Sequence, residues 1–189
     1  MLVVGFAFAT VSIPAIAQTI SSSIADGGSV KTHLLGSSNI NEGSSLHRSW
    51  ITINDTDCPV KIEDTGIKTS YQFKEYWFDG VGSLTSSVPI TAFEIRFVLY
   101  DIFGSHIKTL SATEVTDIVA TEEFDFSDWG WRAYSNEISE LLTSVAFVSH
   151  VRTADGEVWK YDENAIAGEL LKIQIQTTTE DLESLGEDG

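Results

Sequence analysis

Trp129, Gly130 and Trp131, with Tyr134 three residues on, form the most conspicuous run of large rings in the sequence, and Trp77 adds an earlier one. Rings of this kind do one of two things. Their faces offer flat apolar area with polar edges, the chemistry of a sugar-binding platform, or they plug one end of a folded core. Plugging is the preferred reading, because large aromatics near strands are mostly buried in part. The candidate ligand-binding residues are Trp77, Trp129, Trp131 and Tyr134, weighed against that alternative.

Groups able to move protons or hold metals are sparse. The four histidines, His33, His47, His106 and His150, are dispersed. His150 and Glu94 would make an acid–base pair if neighbouring strands brought them together, although a surface or half-buried histidine is the commoner fate. Asp55 and Asp57 offer two carboxylates, short of the six to eight oxygens that calcium takes, so they read as turn residues. Asn54-Asp55-Thr56 also matches the glycosylation sequon of a eukaryotic secretory pathway. Cys58 is the single cysteine, so no internal disulfide is expected. A free cysteine is either a small buried hydrophobe or, exposed in an oxidising compartment, a bridge between chains. No Gly-x-Ser-x-Gly, His-Glu-x-x-His, phosphate-binding glycine loop or paired cysteine ligands occur. No catalytic residue, cofactor or metal is therefore expected, and an enzyme ranks last among the alternatives, kept because carboxylate-based hydrolases carry no short signature.

The elements that would position these residues are mostly strands. Residues 90–101 alternate longest, with Phe93, Ile95, Phe97 and Leu99 on one face and Glu94, Arg96, Val98 and Tyr100 on the other. A turn through Gly104 then returns residues 106–110 as a hairpin. Earlier, residues 50–53 and 60–62 read as short strands, and residues 67–78 as one strand ended by Asp79-Gly80, with loop from there to Ser87. In residues 110–128, Glu114, Asp117, Glu122, Glu123, Asp125 and Asp128 stand without a basic residue, which reads as a solvated edge rather than a cation site. Residues 135–143 form a short helix or an irregular crossover. Residues 144–152 form a second strong strand, with Val145, Phe147 and Val151 on one side and Ala146, Val148 and His150 on the other. A turn at 153–156 sends the chain back through Trp159 to Tyr161. Asp162 then caps a helix to Lys172 that packs Ala165, Ile166, Glu169, Leu170 and Ile173 on the sandwich.

Phe97-Val98-Leu99-Tyr100-Asp101 resembles the signature of the FxLYD domain, a small immunoglobulin-like β-sandwich of exported bacterial and archaeal proteins. The strand and turn of residues 51–59, Gly104, and a later strand at 124–126 fall in the order this resemblance requires. The likeness covers roughly residues 50–126. It departs in the extra strand material between Glu63 and Pro89, and in Ala120-Thr121-Glu122 where a Pro-Gly would precede Phe124. The resemblance implies a fold and no catalytic residues.

A chain of 189 residues, 42% hydrophobic and 11% aromatic, supports one packed domain with appendages. Eleven Lys and Arg against 28 Asp and Glu give a net charge of −17, the wrong sign for nucleic acid or anionic lipid. Residues 1–17 read as a signal peptide closed by Ala15-Ile16-Ala17, although no Lys or Arg precedes Lys31 and Pro14 interrupts the run. The run is shorter than the roughly 20 apolar residues of a spanning helix, so no membrane span is expected after cleavage. Residues 18–48 read as a flexible Ser/Gly-rich linker, 49–173 as an all-β, immunoglobulin-like antiparallel sandwich of about seven to nine strands with a short C-terminal helix, and 174–189 as an acidic disordered tail. The expected protein is exported to the periplasm, cell envelope or medium. There it would play a non-catalytic structural or interaction role, its partner another envelope protein or, as a carbohydrate-binding module, a polysaccharide. The sequence sets no oligomeric state.

Overall fold

The computed structural model describes residues 21–23, 29–34 and 48–183. Their strands are β1 (Ser21–Ser23), β2 (Ser29–Leu34), β3 (Ser49–Asn54), β4 (Val60–Gln72), β5 (Glu75–Ser86), β6 (Ile90–Asp101), β7 (His106–Ile118), β8 (Glu123–Ala133), β9 (Leu141–Thr153) and β10 (Val158–Lys160). Helices α1 (Ser135–Glu140) and α2 (Glu163–Lys172) and a 3-10 turn at Glu180–Leu182 complete them. The larger sheet runs β1-β2-β3-β9-β6-β7 with β10 beside β9, and the smaller runs β4-β5-β8. This is the expected all-β sandwich with a short C-terminal helix. One pair departs from the antiparallel rule, since β3 runs parallel to β9.

β6 lies between β7 and β9 and has the bounds its alternation requires. Phe93, Ile95, Phe97 and Leu99 are each at most 1% exposed and face the small sheet, where Phe78, Leu84 and Phe126 meet them. The opposite face is covered too. Val98 and Tyr100 pack with Val145 and Phe147 of β9 under Ile166, Leu170 and Leu182 from α2 and the 3-10 turn. Burying an apolar side chain contributes about 1.5–3 kcal/mol, so a strand covered on both faces dominates the stability. Asp162 caps α2 as expected, its carboxylate accepting from the backbone N–H groups of Asn164 and Ala165.

Four features of the chain differ from the sequence expectation. Residues 67–78 are not one strand: the chain reverses at Phe73 and Lys74, and β5 continues through Asp79-Gly80 to Ser86. Both turn residues have positive φ, 53° and 66°, the mirror-image turn that suits hairpin twist but normally takes Asn-Gly, so the usual signal is missing. Gly82 serves contact within the strand, because a Cβ there would fall on the Asp64 carbonyl and the Phe126 ring. In β9 the register places His150 opposite Glu94 but Val148 opposite Ile95, leaving Ser149 as an extra residue. Val151 therefore joins Ala146 and Val148 on the inter-sheet side instead of Val145 and Phe147.

Within residues 18–48, expected to be a linker, β2 pairs with β3 along Ser29 to Leu34, and β1 pairs with β2. An outer strand held by backbone ladder bonds needs no apolar period, so Ser/Gly-rich sequence concealed it. Buried Arg48 ends this stretch with its guanidinium donating to the carbonyls of Ile138 and Leu141 and to the Thr69 hydroxyl. In the expected tail, Leu182 is fully buried and Arg96 donates to its carbonyl at 2.8 Å. Ile175 packs on the same cluster, and Asp181 pairs with His106 at 3.2 Å, so the segment is docked by a few contacts in an acidic stretch. The expected signal peptide, residues 1–17, lies outside the described residues, as do residues 184–189 of the tail.

Candidate functional site

Of the four candidate rings, β8 carries Trp129 and Trp131, β5 carries Trp77, and Tyr134 stands just past β8 at the start of α1. Phe126 pairs with Gly82 and Trp129 with Gly80, so β8 holds an extra residue between them and both rings reach the inner face. They stack at 4.3 Å and 18°. Trp129 also meets Phe93 at 6.0 Å, and Trp131 meets Phe97 edge-on at 5.7 Å. The Trp131 indole donates to the Ser111 carbonyl at 3.1 Å, and that of Trp129 to the Glu114 carboxylate at 3.4 Å. Both rings thus wedge between the sheets and tie β8 to the edge strand β7. Trp77 points to the outer face of the small sheet, where its ring lies beside Gly130. Its Nε1 is buried without an acceptor among the described residues. The three tryptophans do not share one surface.

Tyr134 belongs to another group. It is 71% exposed at the start of α1, where its backbone N–H donates to the Glu137 carboxylate. Beside it, the turn between β4 and β5 presents Tyr71, Phe73 and Tyr76, which sequence reasoning placed inside a strand and did not single out. Tyr71 and Tyr76 lie 4.7 Å apart, and Phe73 is 91% exposed. Lys74, Glu75, Tyr76, Arg132 and Tyr134 line a shallow depression of about 300 Å³, with Glu75 and Arg132 ion-paired at its side. A bulky residue at positive φ is an uncommon choice that costs about 1–2 kcal/mol. Here that choice supports a ring that packs on almost nothing within the described chain.

The expected partners Glu94 and His150 do meet, with Nδ1 of His150 3.4 Å from the carboxylate. The same oxygen accepts from Ser149 Oγ at 2.5 Å and from Arg96 Nε at 3.0 Å, and the second oxygen accepts from Thr113. Burial pushes the Glu94 carboxyl up, but the Ser149 and Arg96 hydrogen bonds outweigh it and hold the group below its ordinary range. Arg96 also reaches the Tyr161 hydroxyl at 2.8 Å and lies over its ring. The cluster locks β6 to β7, β9 and the 3-10 turn. Ser149 is fully buried, so no nucleophile is presented.

The remaining candidates settle into structure. The Asp55 carboxylate accepts from the Asp57 backbone N–H at 2.9 Å, an Asx turn. Among the described residues no group of three or more acidic, histidine or cysteine side chains is arranged to hold a metal. Cys58 is half-buried and unbridged, and burial pushes its thiol up to about 12, which disfavours the reactive thiolate. Asn54 of the sequon is buried, with its amide bonded at 2.9 Å to both the N–H and the carbonyl of Ile62. A glycan has no room at an amide buried in this way. No described helix is long and apolar enough to cross a membrane.

No family model matches the chain, and no curated protein does. Among solved structures, a hypothetical protein from Peptoclostridium difficile 630 is similar at 12% identity and a TM-score of 0.43, over 66% of this chain and 94% of its own. A DUF1425 family member from Shewanella sp. pv-4 is similar at 11% identity and a TM-score of 0.31, over 68% of this chain and 93% of its own.

Proposed function

We propose that this protein is an exported, non-catalytic β-sandwich that acts as an interaction module of the cell envelope or medium, holding a partner protein at its aromatic end. The observation that carries the reading is Phe73, kept at positive φ and 91% exposed between Tyr71 and Tyr76. Neither strain nor exposure returns stability to the chain itself, and aromatic residues are the ones that anchor interfaces. The apolar segment ending Ala15-Ile16-Ala17 and the FxLYD-like motif on β6 support export and an immunoglobulin-like lineage. The saturated Glu94 cluster supports the absence of catalysis.

The test is a photo-crosslinking residue at position 73 of the protein expressed in cells, with the same residue at exposed Leu171 as the control. A discrete protein adduct from position 73 alone is expected. Matching adducts from both positions, or none from position 73, would contradict the reading.

A polysaccharide is the second reading. The phenols of Tyr71, Tyr76 and Tyr134 around a depression edged by Arg132 and Glu75 combine ring faces with hydrogen-bonding groups. It replaces a platform of Trp77, Trp129 and Trp131, whose rings point different ways. Affinity electrophoresis in polysaccharide gels decides it, with retardation that Tyr76→Ala and Tyr134→Ala each remove as the supporting outcome.

A further inference from the structure

The strands that meet at the aromatic turn have their other ends in a different chemical setting. β4 begins at Val60 and β5 ends at Ser86, and there the loop before β4, the loop after β5 and the β9–β10 turn converge. Backbone hydrogen bonds fix the three together. Ser87 N–H donates to the Pro59 carbonyl at 2.8 Å, Ala154 N–H to the Pro89 carbonyl at 2.9 Å, and Thr153 N–H to the Glu157 carbonyl at 2.9 Å. Gly156, at φ 95°, closes the turn.

Between them lies a groove of about 580 Å³ with Pro59, Pro89 and Trp159 on its apolar lining and Asp57, Asp155 and Glu157 around it. That volume falls in the range of sites that take small ligands or short peptide segments, about 300–1,000 Å³. Among the described residues that line the groove there is no Lys or Arg. The Asp155 carboxylate accepts from the Thr153 hydroxyl, whereas those of Asp57 and Glu157 have no partner among the described residues. Three carboxylates over proline and indole surfaces repel anionic glycans and favour a cation carried on an apolar frame. The Pro59 and Pro89 carbonyls already accept from the neighbouring loops, so the walls offer little for strand addition. A polyproline-type segment needs no backbone pairing and docks on aromatic surfaces.

We propose that this groove binds an extended, proline-containing segment of a partner protein bearing Lys or Arg side chains. The prolines lie on Trp159, and the cations meet Asp57 and Glu157. The site is at the opposite end of the small sheet from Phe73 and is independent of the aromatic end.

The experiment titrates the full chain by calorimetry with the peptide acetyl-Lys-Pro-Leu-Lys-Pro-Lys-amide, a counterpart with Glu at each Lys, and maltohexaose. Binding of the lysine peptide alone is expected, weakened at least about tenfold between low and 0.3 M salt because the rim charges are exposed. The double variant Asp57→Asn, Glu157→Gln should weaken it about tenfold, while Phe73→Ala should leave it unchanged. Trp159→Ala should abolish it. Because Trp159 also packs against the core, the rim variant, confined to loop and turn carboxylates, keeps the test decisive if Trp159→Ala unfolds. No binding of the lysine peptide, equal binding of the glutamate peptide, indifference to the rim variant, or binding of maltohexaose in its place would each overturn the proposal.

Discussion

Trp131 and Tyr134 stand three residues apart at one end of β8, yet the first is wedged against Phe97 between two sheets and the second is 71% exposed. The same contrast runs along β5, where Phe78 is fully buried and Tyr76 sits beside a solvent-facing turn. Residue type does not separate the two groups, since both are large rings on adjoining strands. Position relative to the larger sheet does. Rings opposite β6 are covered by it, whereas those beyond its reach at the β4–β5 turn and the start of α1 meet solvent. The inner cluster therefore belongs to stability, and the outer one is available for contact.

Substitutions can break this contrast, and the largest effects belong to the inner cluster. Phe97→Ala and Trp129→Ala should each lower stability by about 3–5 kcal/mol in urea denaturation, through lost burial and the cavity left behind. A neutral result for either would place that ring outside the core. Gly82→Ala should cost about 1–3 kcal/mol, because the added methyl must displace the Asp64 carbonyl or the Phe126 ring. Glu94→Gln should cost about the same, since it removes charge-assisted bonds from Ser149 and Arg96.

The pH dependence of the Glu94 cluster has a definite sign. A carboxyl held below its ordinary range in the fold binds its proton more readily when unfolded. Its contribution is complete above the ordinary glutamate value, about 4.3, and fades as pH falls through the folded one. Urea midpoints from pH 7 down to pH 3 should fall less steeply for Glu94→Gln than for the parent. Arg132→Ala removes an exposed ion pair with Glu75 beside the outer cluster and should change stability by less than about 1 kcal/mol.

Much of the framework was legible because burial imposes period. β6 and the α2 cap were readable residue by residue: uninterrupted alternation marks the first, and a carboxylate one residue before the helix marks the second. Legibility failed where one residue changes the count. Ser149 in β9 and the extra residue before Trp129 in β8 shift every later side chain to the other face, and a bulge has no composition of its own. The Phe73-Lys74 turn was hidden because it lacks Asn or Gly, and that concealed the outer cluster. Tyr134 alone of the four candidate rings was placed among the exposed group, because linear proximity to Trp131 says nothing about where the larger sheet ends. The Glu94–His150 contact was anticipated, but its hydrogen-bonded saturation depends on Arg96 and Ser149 meeting across strands.

The central claim is that the Phe73 ring is available for contact and contributes nothing to folding, and Phe73→Asn tests it without knowledge of the partner. Asparagine tolerates positive φ better than phenylalanine, so thermal denaturation should show an unchanged or slightly raised midpoint, a gain of up to about 1 kcal/mol. A loss of more than about 1 kcal/mol would show that the Phe73 ring supports the fold, and would contradict the assignment of this end to binding.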